Sequence, residues 1–244
     1  MAITPANLTH HRVNIGAKSA NVPLTQSYDI GPIMPLIEMT IGDFFDQTAE
    51  RYPDKDALIS AHQNIRLTYR ELQAQVNQLA SSMIRMGLQK GDRVGIWSHN
   101  NVEWVLMQLA TAKVGIILVN INPAYRTFEL EYAINKVDCQ VLVLMRHFKS
   151  SDYAKMLQEI APEAKHQDFH TLELIRLPNL KRVVWIDSPN STEDFGFMQK
   201  FSEWLAEGEK KAFAEMNKRL IAQGDAYTKA TAEAEQFAQA LKDV

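Results

Sequence analysis

The chain is expected to be an α/β protein built on a doubly wound, mostly parallel sheet. Four short runs, "RVGIWS", "IILVNIN", "CQVLVL" and "RVVWID", are nearly continuous in apolar residues. That is the pattern of strands covered on both faces rather than on one. Amphipathic helical segments separate them, and strand and helix alternate from Thr40 to Asp187, as right-handed βαβ crossovers require. With 244 residues and 46% hydrophobic content, the chain can bury one sizeable core with an appendage.

Residues 1–39 hold Pro5, Pro23, Pro32 and Pro35 without a clear period and read as an extended lead. Thr40 then precedes "IGDFFDQTAERY" with Asp43 three residues on, a helix cap with an acid near the positive helix end. Pro53 stops this helix, and "ALIS" and "IRLT" on either side of "AHQN" predict a hairpin. In "LTYREL", Thr68 and Glu71 have capping-box spacing, each side chain placed to satisfy the other residue's amide. Leu72, Val76, Leu79, Ala80 and Met83 follow as one helical stripe, and Gly87 ends it. Asn100 or Asn101 caps "VEWVLMQLATAKV", which Gly115 closes, and Thr127 is expected to cap "FELEYAINK". "DYAKMLQEIA" is a helix stopped by Pro162. Residues 40–187 form the α/β subdomain; residues 188–244 read as a linker, "SPNSTEDFG", and a wholly helical tail broken near Gly224–Asp225. The tail's apolar side is Phe201, Trp204, Leu205, Phe213, Met216 and Leu220, with Glu207–Lys211 and Glu215–Arg219 at ion-pair spacing.

Composition excludes several function classes. A formal net charge of −3 offers no field for nucleic acid, and no apolar run reaches the roughly 20 residues of a membrane span. The single cysteine, Cys139, permits no internal disulfide and fits a reducing compartment, so a cytoplasmic location is expected. The first 28 residues carry no acid, but serine and arginine are too sparse there for a typical mitochondrial presequence.

No residue is assigned a catalytic, cofactor-binding or metal-binding role. His166 and His170 stand at i,i+4, but no glutamate follows the first as a zincin helix requires; both read as surface histidines. His10 and His11 fall in the lead, His62 in a hairpin turn and His99 before a helix cap, all as loop polars. Cys139 opens a buried strand as a small apolar side chain. Ser98 ends a strand where α/β ligands gather, but lacks the frame of a nucleophile elbow. Ser81 and Ser82 sit within a helix and face other helices or water. Gly87, Gly91 and Gly95 have separate duties at a helix end, a turn and a strand, and Lys90-Gly91-Asp92 lacks the Walker order. Trp97, Trp104, Trp185 and Trp204 fill core.

The order of motifs carries more than any single site. "LTYREL" resembles the first core motif of the adenylate-forming family, which includes acyl-CoA synthetases, luciferases and peptide-synthetase adenylation domains. "GLQKGDRVGIWSHNNVEWV" resembles the family's next strand-turn-helix unit, and "LATAKVGIILVNINPAYRTFELEYAINKVDCQVLVL" its second core region. "TIGDFFDQTAERYPDKDALI" looks like the usual family opening, and "RVVWID" extends the likeness to 187. "NINPAYR" resembles the long- or medium-chain fatty acyl-CoA ligase branch; adenylation domains usually have Asp in place of Asn122.

The resemblance implies a two-step reaction. A fatty acid carboxylate attacks the α-phosphate of ATP to give acyl-adenylate and pyrophosphate, and the thiol of CoA then displaces AMP. ATP, Mg and CoA are implied for the full-length family. Its Ser/Thr/Gly-rich phosphate loop, nucleotide-binding motifs, magnesium-side glutamate and lid lysine would all lie beyond the matched region, and "EKKAFAEMNKRLIAQGDAY" matches none of them. The expectation is therefore an N-terminal portion of a fatty acyl-CoA ligase, a gene fragment or truncated product, inactive alone. The alternative is an interaction or scaffold protein that reuses the α/β unit and docks through its helical tail. An incomplete sheet should also leave an unpaired edge open to self-association.

Overall fold

A computed structural model describes residues 37–188 and 191–208. The chain divides into two units at Glu38/Met39, and the expected lead falls almost wholly outside the described residues. So do residues 209–244, and with them the expected helix to Val244, its break near Gly224, both tail ion pairs, and Phe213, Met216 and Leu220.

The second unit opens with α1, Ile41–Arg51, where Thr40 Oγ1 accepts from the Asp43 amide at 3.1 Å. Strands β1, Asp56–Ser60, and β2, Ile65–Thr68, pair antiparallel with Ser60 opposite Ile65. Helix α2, Tyr69–Arg85, begins in the expected capping box. The Glu71 carboxylate accepts from the Thr68 amide at 2.8 Å, and Thr68 Oγ1 accepts from the Glu71 amide at 3.3 Å. The Thr68 amide is the main reason the Glu71 carboxyl lies below its usual range. Leu72, Val76, Leu79, Ala80 and Met83 are all buried, and Gly87 reverses the chain at φ +95°, a conformation only glycine adopts without strain.

Strands β3, Arg93–Trp97, β4, Ile117–Ile121, and β5, Val141–Met145, follow, with α3, Val102–Val114, and α4, Thr127–Lys136, between them. A two-residue pair, β6 at His147–Phe148 and β7 at Ser151–Asp152, leads into α5, Tyr153–Ile160. Beyond a 3-10 turn at Pro162–His166 come β8, Arg182–Ile186, β9, Gln199–Lys200, and α6, Phe201–Ala206. Among the described residues the main sheet has five strands in the order β4-β3-β5-β8-β9, and every neighbouring pair is parallel. Its residues alternate between two cores. Val94, Ile96, Val141, Val143 and Val184 face α1, α2, α3 and α6. Trp97, Leu142, Leu144, Val183 and Trp185 face α4 and α5. This double covering is why the strand runs are apolar at almost every position.

Four expectations are corrected. Thr127 is the first residue of α4, not its cap: the Glu129 carboxylate accepts from the Arg126 amide at 3.1 Å, closing the first turn one residue earlier. β4 packs on both cores, Leu118 on one and Val119 and Ile121 on the other, but it ends the strand order among the described residues and is covered less fully than expected, with Ile117 49% exposed. Cys139 lies two residues before β5 rather than opening it. The chain after the linker is not wholly helical, because Gln199–Lys200 pair with β8; a strand this short has no period to read. In α6, Phe201 and Trp204 are buried with α2 and α3. Ser82 Oγ reaches the Leu205 carbonyl at 3.5 Å, and a side chain at Gly208 would meet the Gln78 carbonyl oxygen at 1.9 Å. Phe201 and Trp204 of the expected docking side are thus turned into the body, with Leu205 half-buried against it.

Candidate functional site

The chain passes from β3 to β4 on one side and then to β5 on the other. The crevice beyond the carboxyl ends of β3 and β5 is therefore a topological switch point, where open α/β sheets bind ligands. A two-lobed cleft lies there, with cavity volumes of about 710 and 870 Å³. The first lobe is lined by His62, Ser98, His99, Trp104, Asn122 and Phe148, among others. The second is lined by residues that include Gln63, Arg146, His147, Asp187 and Ser202.

Several lining residues are held by nearby elements. Asn101, not Asn100, caps α3, its Oδ1 accepting from the Trp104 amide at 2.8 Å. Its Nδ2 donates to Ser98 Oγ at 2.8 Å, while that hydroxyl donates to the His99 carbonyl at 2.8 Å. Ser98 is thus committed to the strand-to-helix turn, and no base activates it. Gln63, at the tip of the β1–β2 hairpin, accepts from the Val102 amide and donates to Glu103, both at 2.8 Å. It serves as a second cap on α3 and fixes the hairpin as a wall of the cleft. This brings His62 to His99 with ring centroids 5.7 Å apart, a meeting of two loops that no local pattern announces. The Asn122–Pro123 loop is pinned from behind: Trp97 Nε1 donates to the Asn122 carbonyl at 3.1 Å, and Tyr153 Oη donates to the Pro123 carbonyl. The two rings stack with centroids 3.5 Å apart and planes 4° apart.

Arg146 carries the one ammonium or guanidinium group among the described lining residues. It pairs with Asp152 and with Glu193 at 3.2 Å. Burial disfavours its charge, but the two carboxylates outweigh that and raise its pKa further. Burial likewise opposes the charge on Asp152, and Arg146 with the Lys155 amide more than compensates, lowering it. Arg146 also lies 5.1 Å from the Phe195 ring centroid. None of this arrangement was identified from the sequence, since its members lie far apart in the chain.

The cleft is therefore built to orient a ligand through hydrogen bonds and ring faces. It holds no uncompensated cation among its described lining residues to meet charge building on a phosphate. The glycines do not supply an amide cradle either. The Gly91 amide donates to the Gly115 carbonyl at 2.9 Å, and Asp92 accepts from the Gln89 amide and from Gln140, both at 2.8 Å. Gly95 sits inside β3, where a side chain would meet Ile121 at 3.0 Å and Cys139 at 3.1 Å. His166 and His170 are both exposed. Among the described residues, no three His, Cys, Asp or Glu side chains could hold a metal ion. Trp97, Trp185 and Trp204 are buried and Trp104 is half-buried against the core.

Cys139 is a structural thiol. Its Sγ accepts from the Gly95 amide and donates to the Val141 carbonyl, each at 3.1 Å, and burial pushes its pKa up to about 12. A raised folded-state pKa leaves its contribution to stability fully present below the unfolded value, neutral pH included. As the pH climbs from about 9 towards 12, the unfolded chain loses the proton first and the folded state loses stability. Folding stability measured in urea should therefore fall over that window. At pH 8 a disulfide exchange reagent should label Cys139 only at the rate of unfolding, and Cys139→Ser should flatten the alkaline fall.

Comparison with known proteins adds three findings. A family model described as "AMP-binding enzyme" matches residues 45–193. A mitochondrial medium-chain acyl-CoA ligase of Bos taurus is 47% identical over 153 residues, which are 63% of this chain and 25% of that one. Its counterpart in Danio rerio is 42% identical over 166 residues, 68% of this chain and 27% of that one. In fold, the chain is similar to a fatty acyl-CoA synthetase of Mycobacterium tuberculosis, with a TM-score of 0.55 at 21% identity, covering 70% of this chain and 29% of that one. The chain thus spans about a quarter of the length of the curated relatives it matches.

Proposed function

Because the chain belongs to the AMP-binding enzyme family, we propose that it forms the first α/β unit of an ATP-dependent fatty acyl-CoA ligase. The reaction is formation of an acyl-adenylate followed by transfer of the acyl group to CoA. The observation that carries this reading is the 47% identity to a medium-chain acyl-CoA ligase over 153 residues, 63% of this chain. By itself the unit is expected not to form acyl-adenylate. The first step develops charge on phosphate oxygens and needs cations, metal or clustered amides there, and Arg146 is already neutralised by Asp152 and Glu193.

Two measurements test the proposal. Pyrophosphate release with ATP, magnesium and octanoate should stay at the blank; turnover by the purified chain would sink the claim of inactivity. A chimera of the Bos taurus relative, with its matching segment replaced by residues 45–187 of this chain, should still form acyl-CoA. A folded but inactive chimera would count against the ligase reading itself. The proposal keeps the protein in the cytoplasm on the strength of its composition, although the relatives' names say mitochondrial; co-fractionation of the tagged chain with mitochondria would overturn that part.

A further inference from the structure

The margin of the sheet formed by β4 plays no part in the Arg146 network, and it is unusually apolar. β4 ends the strand order, so one of its long edges has no neighbour among the described residues. Beside it, α4 is apolar on two sides. Leu130 and Ile134 are buried in the core, as one stripe of a surface helix should be. On its outer side Phe128 is 78% exposed and Tyr132 62% exposed, with Tyr125 and Ile117 also in solvent. Phe128, Tyr132, Ala133 and Val137 line a groove against Val119 and Ile121 of β4. A contiguous aromatic patch of this kind on a soluble protein marks an interaction surface.

The distribution of residues along the patch points to its partner. The outer stripe runs from Tyr125 through Phe128, Glu129, Tyr132, Ala133 and Lys136 to Val137, and Glu129 and Lys136 are equidistant from the point between Tyr132 and Ala133. An antiparallel copy of α4, related by a two-fold axis at that point, sets Glu129 opposite the second copy's Lys136 and Phe128 opposite the second copy's Val137. The charges are available for this. Lys136 makes no ion pair with any described residue, and Glu129 uses one oxygen on the Arg126 amide; Glu131, by contrast, is engaged by Arg176. A self-complementary patch with charges balanced about its centre is what an isologous interface requires.

We propose that the β4–α4 margin is a homodimer interface, occupied by a second copy of this chain across a two-fold axis between Tyr132 and Ala133. This does not depend on the ligase reading. Sedimentation velocity of the full chain at micromolar concentration should give twice the monomer mass. Phe128→Glu, at an exposed position that leaves the fold intact by circular dichroism, should weaken the dimer at least about 30-fold. Lys136→Glu should weaken it by placing like charges together. Tyr132→Cys should form an intermolecular disulfide under mild oxidation, whereas Arg66→Cys on the exposed hairpin should not. A wild-type monomer would overturn the proposal, as would a dimer indifferent to Phe128→Glu. So would a monomer whose Phe128 is buried only on adding the separately expressed remainder of the Bos taurus ligase, which would give the patch to that polypeptide instead.

Discussion

Replacing Trp97 by alanine is expected to destabilise the protein by about 3–5 kcal/mol, the range for truncating a buried aromatic. Trp97 is fully buried at the end of β3, in the tier of side chains facing α5. Three losses combine there. The first is the apolar area of the indole. The second is its parallel stack on Tyr153, and the third is the Nε1 hydrogen bond to the Asn122 carbonyl. The cavity left behind cannot collapse easily, because β3 is hydrogen-bonded on both sides, to β4 and β5. For a domain of this size the melting temperature should fall by about 10 °C. Tyr153→Phe removes one hydroxyl and its bond to the Pro123 carbonyl, and should cost about 1 kcal/mol. Thermal melts and urea titrations of the two variants decide this. A Trp97→Ala loss no larger than that of Tyr153→Phe would mean that the stack contributes little. Both variants should also loosen the Asn122–Pro123 wall of the cleft, readable as faster amide exchange there.

The second large effect is expected at Lys113. Its side chain is only 3% exposed, between α1, α2 and α3, and its ammonium group pairs with Asp46 and donates to Asn77 Oδ1 at 2.6 Å. Gln73 donates to the same Asp46 oxygen at 2.7 Å. Burial lowers the Lys113 pKa, and Asp46 opposes that shift. Removing one member of a buried pair costs more than removing both, since the remaining charge is stranded in a poorly solvated site. Asp46→Ala should therefore cost about 3 kcal/mol, because it strands the buried ammonium, whereas Lys113→Met should cost less, because the Asp46 carboxylate it leaves behind is 31% exposed. In the Lys113→Met background, Asp46→Ala should cost well under half of its value alone. A double-mutant cycle measures this coupling directly. Additive effects would show that the pair is effectively solvated.

Both sites show where sequence reasoning stops. Trp97 reads as core, and it is; that its ring would lie on Tyr153, a residue 56 positions later, is not encoded in any local period. Asp46 and Lys113 lie in two segments that read only as separate helices, and the packing of α1 against α3 brings their charges together. His62 and His99 each read as a loop polar, yet they stand side by side on one cleft. Arg146, Asp152 and Glu193 form a clamp that no local pattern announces.

What the amino-acid sequence determined by itself is local and repetitive. The helix starts at Thr40, at Thr68 and at Asn100 or Asn101, the reversals at Gly87 and Gly115, the hairpin and the parallel strands follow from side chains that act on backbone within a few residues, or from apolar periods, while the family follows from the resemblance of the motifs and their order. These signals are strong because each is a short-range hydrogen bond or a face that must be buried. What only the tertiary structure decided is which strand lies at the edge among the described residues, that Gln199–Lys200 add a strand beside β8, and which polar groups meet at the sheet's carboxyl end. Strand order depends on crossovers that bring distant segments together. A side chain such as Lys113, Arg146 or Phe128 acquires its meaning from what packs beside it, or from what does not.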